Sequence, residues 1–148
     1  MSIDRIVEWH ERARPTPDDK AFNVQLGCHF EEIAEMVETL KFCTEGWEPT
    51  PGELTMLHSG LKLFADRLKS GAAAAVIQDR EGFLDSLADQ VVTVLGVGHC
   101  ADMDVGEAVT RVDASNWSKF VNGQPRFDEN GKIAKPITYR KPDLTGCY

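Results

Sequence analysis

The stretch His29-Phe30-Glu31-Glu32-Ile33-Ala34-Glu35-Met36-Val37-Glu38 places four carboxylates within eight residues of a segment that reads as a helix. At about 100° per residue, Glu31, Glu32, Glu35 and Glu38 fall within roughly one third of the helix circumference. Leu26, Phe30, Ile33, Met36, Val37 and Leu40 fall on the opposite arc, the one a core would claim. Like charges three and four apart on a helix repel by about 0.2–0.5 kcal/mol per pair. No Lys or Arg is interspersed before Lys41, so this face looks either at water or at cations.

The surrounding chain is helical in pattern. Residues 3 to 13 predict a short helix with Ile3, Ile6 and Val7 on one side and Trp9 near them, stopped at Arg14-Pro15. Thr16-Pro17-Asp18-Asp19 reads as a helix start, with Thr16 as N-cap and Pro17 at the first helical position. That helix runs to about Cys43, interrupted at Gly27, where either nothing happens or a ligand or a second helix comes close. Thr50-Pro51-Gly52-Glu53 predicts a capping box. Leu54, Leu57, Leu61, Phe64 and Leu68 follow at three- and four-residue steps to Ser70-Gly71 and predict a core-packing stripe.

Asp79 caps a further helix to about Ala101, which by composition should be the most buried of all. Its narrow polar strip holds Asp85 and Asp89, with no Lys or Arg to pair them. Buried carboxylates need a partner or a metal. The helix dipole accounts for Asp85, near the N-terminus, better than for Asp89. Asp104-Val105-Gly106-Glu107 opens a last helix, ending near Ser115-Asn116-Trp117-Ser118-Lys119. From Val121 to Tyr148 the pattern is of turns and one small hairpin, basic where the body is acidic.

A chain of 148 residues without a linker suits one domain. The net charge of −8, from 24 acidic and 16 basic residues, disfavours a nucleic-acid polymer as partner. It leaves room for a phosphorylated ligand carried in with a divalent metal. No apolar run reaches membrane-spanning length and no signal-peptide pattern opens the chain, so a cytoplasmic protein with no membrane partner is expected. Cys28, Cys43, Cys100 and Cys147 form no CxxC pair and are expected as reduced thiols. Zinc at Cys28-His29 or His99-Cys100 is not expected, because adjacent helical residues diverge by about 100°.

Two helices that each carry a carboxylate strip can face each other across a bundle, where metal sites of this kind are built. An oxygen-only donor set suits Mg²⁺ or Mn²⁺. Such a metal completes its shell with water and phosphate oxygens, which makes hydrolysis of a phosphate anhydride the natural chemistry. A remaining carboxylate can act as base, and Asn116 and Lys119 are the nearest polar side chains to complete the site. No P-loop, GxGxxG, GxSxG or HExxH motif is present.

Glu31-Glu32-Ile33-Ala34-Glu35 resembles the EExxE signature of the MazG-like all-α nucleoside triphosphate pyrophosphohydrolases, and Asp85-Ser86-Leu87-Ala88-Asp89 resembles their second motif. Val112 to Lys119, Asn122-Gly123-Gln124-Pro125, Gly131-Lys132-Ile133 and Lys141-Pro142-Asp143-Leu144 are similar to a phage branch of phosphoribosyl-ATP pyrophosphohydrolase-like proteins. The resemblance implies a single MazG-like helical bundle over 1–148, with the tail 120–148 folding over the site or a neighbouring subunit. It implies cleavage of a dNTP to dNMP and pyrophosphate, Glu32, Glu35 and Asp89 as metal ligands, Glu31 as the catalytic or second-metal acid, and Asn116 and Lys119 as nucleotide-binding. Ser86 stands where the family has Glu in ExxD, and Asp85 is the candidate fourth ligand in its place. Base recognition points to the first long helix, with Phe22, Asn23, Gln25 and His29 as candidates, and the family pattern implies a homodimer or homotetramer. By analogy with MazZ-like phage relatives, dGTP is the expected substrate, with house-cleaning hydrolysis of dUTP or dCTP as the alternative. A reading of another class is a non-enzymatic helical module whose acidic face binds a basic partner. It predicts Asp89 paired with Lys or Arg.

Overall fold

The computed structural model describes residues 3–43 and 51–148 and is all-helical. The helices are α1 (Ile3–Ala13), α2 (Asp19–Glu38), α3 (Pro51–Ser70), α4 (Arg80–Cys100) and α5 (Val105–Trp117). No β-strand forms among the described residues; the tail carries only two isolated antiparallel bridges, Val121 with Gln124 and Phe127 with Ile133. The second of these closes the small hairpin expected there. Contacts gather into two compact units. One comprises Pro17–Ala75 with Asp128–Lys132, and the other the N-terminal residues through Thr16, Val76–Phe127 and Ile133–Tyr148.

The first unit is an antiparallel pair, α2 against α3. The N-cap of α2 is Asp18 rather than Thr16: its carboxylate accepts from the Ala21 amide at 2.7 Å. A carboxylate at this position both caps and meets the positive end of the dipole, which favours it over the preceding threonine. The helix stops at Thr39, short of Cys43, where the Thr39 amide and hydroxyl both turn back to the Met36 carbonyl. The expected capping box at Thr50 lies outside the described residues, and α3 begins at Pro51. Gly71, at φ +75°, ends α3 in the left-handed region.

The buried residues of α2 are Ala21, Asn23, Val24, Gly27, Ala34 and Val37, while Met36 and Leu40 of the expected core arc are exposed. The core face is thus turned from the arc drawn by the largest side chains toward the small ones. Gly27 gives the reason. A Cβ there would lie 2.8 Å from the Ala65 carbonyl oxygen and 2.8 Å from Cγ of Lys69. Close approach at Gly27 seats α3 through Ala65 and Leu68, which are essentially inaccessible. We expect Gly27→Ala to destabilise the protein. The overpacking costs about 1–3 kcal/mol and exceeds the gain of at most about 1 kcal/mol in helix propensity. Chemical denaturation checks this, and a variant as stable as wild type would contradict the contact.

In the second unit α1 lies on α5. Trp9 and Ala13 are buried, the Trp9 indole donates to the Asn116 carbonyl at 3.0 Å, and its ring stacks on Phe120. Asp79 caps α4 as expected, accepting from the Glu81 and Gly82 amides. Asp104 caps α5 by accepting from the Glu107 amide at 2.8 Å.

One expectation fails here. The helix that should be the most buried, α4, buries only Gly98, while Leu84, Val92 and Val97 are each about two-thirds exposed. Within its unit α4 meets α5 where Gly98 admits Val105, whose side chain fills the space a Cβ would need. Composition reports what a helix can bury, not what the fold places against it.

The tail from Arg140 is strapped to α5. Ser115 Oγ donates to the Arg140 carbonyl at 2.6 Å and Ser118 Oγ accepts from the Arg140 amide at 2.8 Å. The Arg111 guanidinium, held by Glu107, donates to the carbonyls of Asp143 and Thr145. The Asp104 amide donates to the carbonyl of Cys147, which is buried.

Candidate functional site

The acidic stretch of α2 divides by environment. Glu31 turns toward α3, and its side chain is only 12% exposed. Lys62 and Lys69 lie seven residues apart on α3, hence on one face. Both donate to Glu31 Oε1, at 3.3 and 2.7 Å. Lys132 donates to the other oxygen, Oε2, at 2.9 Å. The turn 128–132 aims this third lysine: the Asp128 carboxylate accepts from the amides of Asn130 and Lys132, and Gly131 adopts φ +82°. Lys69 also lies 3.2 Å from Asp66.

The electrostatics follow from this arrangement. Burial alone would push the Glu31 carboxyl up. Hydrogen bonds from Lys69 and Lys132, the Lys132 charge and the bond from Lys62 outweigh it and hold the pKa at about 2. Burial likewise works against the charged forms of Lys69 and Lys132, but the Glu31 carboxylate raises both above the usual lysine value. A carboxylate so strongly held is a poor proton acceptor at neutral pH, since a general base works best with a pKa near the operating pH. Its surroundings suit an anchor for three ammonium groups.

Glu32 and Glu35, by contrast, are exposed and make no ion pair with a described residue. Glu38 is also exposed and lies 2.9 Å from His58 Nε2. On α4, Asp85 and Asp89 are both exposed, so the expected buried charge at Asp89 is not there. The reason is the uncovered state of α4 itself. Neither residue is paired with Lys or Arg among the described residues, contrary to what a module binding through neutralised acids predicts. Glu32 with Glu35 and Asp85 with Asp89 thus form two pairs, three and four residues apart on their helices.

Each pair, taken in its own unit, offers the right kind of donor for a hard divalent cation: oxygen only, exposed and in no ion pair with a basic described residue. Among the described residues, however, no three His, Cys, Asp or Glu side chains are gathered as a metal-binding group. The donor chemistry fits magnesium.

The expected nucleotide-binding residues are partly engaged in structure. Lys119 Nζ donates to Asn116 Oδ1 at 2.7 Å and lies over the rings of Trp9 and Tyr139, 5.8 and 5.9 Å from their centroids. The two residues are therefore brought together, in an aromatic setting that sequence spacing did not reveal. Asn23 is buried, and its amide is spent at both ends, on the Asp19 carbonyl and the Ala75 amide. It pins the 71–75 turn to α2. His29 is half-buried and edge-on to Phe30; Phe22 is half-buried and Gln25 exposed.

A cleft of about 240 Å³ opens beside Lys69, lined also by Asp19, Lys20, Asn23, Glu129 and Asn130. It mixes acids and bases and shows no preference of sign. The lysine cluster on Glu31 is what sequence reasoning missed. Lys62, Lys69 and Lys132 stand 31, 38 and 101 residues from Glu31, too far for any local pattern to pair them.

No helix among the described residues is long and apolar enough to cross a membrane. No family model, no curated protein and no solved structure matches the chain. What the fold defines is an all-α protein with an acidic helix opposed by lysines.

Proposed function

We propose that the chain is a magnesium-dependent nucleoside triphosphate pyrophosphohydrolase that hydrolyses a dNTP to dNMP and pyrophosphate. The observation that supports this reading is the division of one helix face. Glu32 and Glu35 carry unneutralised carboxylates directly beside Glu31, which gathers three ammonium groups. Metal-binding acids next to phosphate-binding cations are what a metal–polyphosphate substrate requires. Glu32 and Glu35 would hold the ion, Mg²⁺ or Mn²⁺, and the family resemblance names Asp85 and Asp89 as the further candidate ligands. When bound, the ion would stabilise charge on phosphate oxygens and make water a stronger nucleophile. Asn116 and Lys119 would orient the nucleotide. Resemblance of the EExxE stretch and of the Val112–Lys119 run to MazG-like enzymes points the same way, with dGTP as the preferred candidate and dUTP or dCTP next.

The exposed aliphatic surface of α4 supports a homo-oligomer. A helix apolar on most of its circumference is normally covered, and a second copy of the same helix would cover it while leaving the acidic strip for substrate. We expect the purified protein to sediment as a dimer or tetramer and Val92→Glu to shift it toward monomer; a wild-type monomer at micromolar concentration would contradict the assembly.

A non-enzymatic reading, as an interaction module, finds support in the structural use of Asn116 and Lys119. A release assay with all canonical dNTPs and NTPs in Mg²⁺ separates the two. Products identified as nucleoside monophosphate and pyrophosphate support the hydrolase; no turnover of any of them, by folded protein with either metal, leaves the interaction module.

A further inference from the structure

We propose that Lys62, Lys69 and Lys132, gathered on the single carboxylate of Glu31, form a binding site for a di- or triphosphate chain that works without metal. The inference rests on the reading of the protein as a nucleotide hydrolase for its biological substrate, but the site is argued from the cluster alone.

A structural ion pair needs one cation for one carboxylate. Here three are drawn to the same group from α3 and from the 128–132 turn. Asp66, beside Lys69, is the only other acid paired with any of them among the described residues, so three ammonium groups share two paired carboxylates. Each ammonium carries three N–H donors. Each spends one on Glu31, and Lys69 can spend a second on Asp66. The remaining donors of Lys62 and Lys132 are accessible, since their side chains are 37% and 46% exposed. Holding ammonium groups this close is unfavourable by mutual repulsion, and a polyanion relieves it. Glu31 therefore acts as a positioning residue that keeps the cations ready at little cost in side-chain entropy when ligand arrives. Three ammonium groups around one carboxylate offer more N–H donors than a single phosphoryl group needs, which suits several phosphoryl groups in a row. The chain could be that of a nucleotide or an inorganic polyphosphate, whose recognition here is the same.

The test is calorimetric titration of the full-length protein with inorganic tripolyphosphate in EDTA at low ionic strength, then with dGTP and dGMP under the same conditions. Wild type is expected to bind tripolyphosphate and dGTP, and dGMP at least tenfold more weakly. Lys62→Gln and Lys132→Gln, both at accessible positions, should each weaken tripolyphosphate binding at least fivefold. Lys41→Gln, an exposed lysine outside the cluster, should not. Absence of metal-free binding by wild type, or equal loss in the Lys41 control, overturns the site. Tighter binding of dGTP than of tripolyphosphate identifies a nucleotide as the ligand of this site; the reverse identifies the inorganic chain. If tripolyphosphate binds as expected and no nucleotide is hydrolysed in Mg²⁺, the hydrolase reading fails and the phosphate site stands.

Discussion

Glu35→Gln, and separately Asp89→Asn, should lower the proposed dNTP hydrolysis about 100-fold or more while leaving stability within about 0.5 kcal/mol of wild type. The two effects are separable because of where these residues lie. Both are exposed and neither is in an ion pair with a described residue. Their charges are therefore solvated at little cost, and removing one leaves no orphaned partner. A buried, unpaired aspartate would behave differently: its replacement by asparagine would raise stability. Unfolding titrations alongside steady-state kinetics distinguish the cases, and Mn²⁺ binding followed by electron paramagnetic resonance reads metal affinity without turnover. Near wild-type hydrolysis by either variant removes that residue from the proposed metal site.

The second large effect is expected at Glu31. Glu31→Gln leaves three ammonium groups facing an amide, and we expect a loss of about 2–3 kcal/mol at neutral pH. The pH dependence follows from the direction of each shift. The Glu31 carboxyl is held at about 2 against an ordinary 4.5, so its stabilisation is complete above pH 4.5 and is lost as pH falls from there toward 2. Lys69 and Lys132 are raised above 10.5, so their share is complete below 10.5 and is lost as pH rises through their higher values. The difference in unfolding free energy between wild type and Glu31→Gln should be flat between these limits and shrink on both sides. Denaturant titrations at pH 3, 5, 7 and 9 measure it. An undiminished difference at pH 3 would mean that the carboxylate charge is not what holds the lysines.

The same residue separates two roles that the acidic stretch leaves merged. If Glu31 were a general base, its replacement would cost activity and little stability. As an anchor for cations it should cost stability, raise KM for the triphosphate, and alter kcat less. Glu32 and Glu35, one residue away and one turn on, should show the opposite balance.

Most helix boundaries were legible because they are encoded locally. Asp79 and Asp104 each satisfy amides within three residues of themselves, and Gly71 takes a backbone conformation that few other residues tolerate. Gly27 was legible as a place of either close approach or no consequence, and packing chose the first. Misreadings arose where the answer depends on a distant segment. The core face of α2 was drawn from its large residues, but the backbone approach at Gly27 turns the small ones inward. The burial expected for α4 was drawn from composition, which carries no information about what lies opposite.

The sequence by itself determined the helices, the caps at Asp79 and Asp104, and the concentration of carboxylates at Glu31, Glu32, Glu35 and Glu38, because spacing along a helix is a property of neighbours in the chain. Only the tertiary structure decided that Glu31 differs from the other three. Its partners arrive from α3 and from a turn about a hundred residues later, and an ion pair depends on distance in space, which folding alone sets.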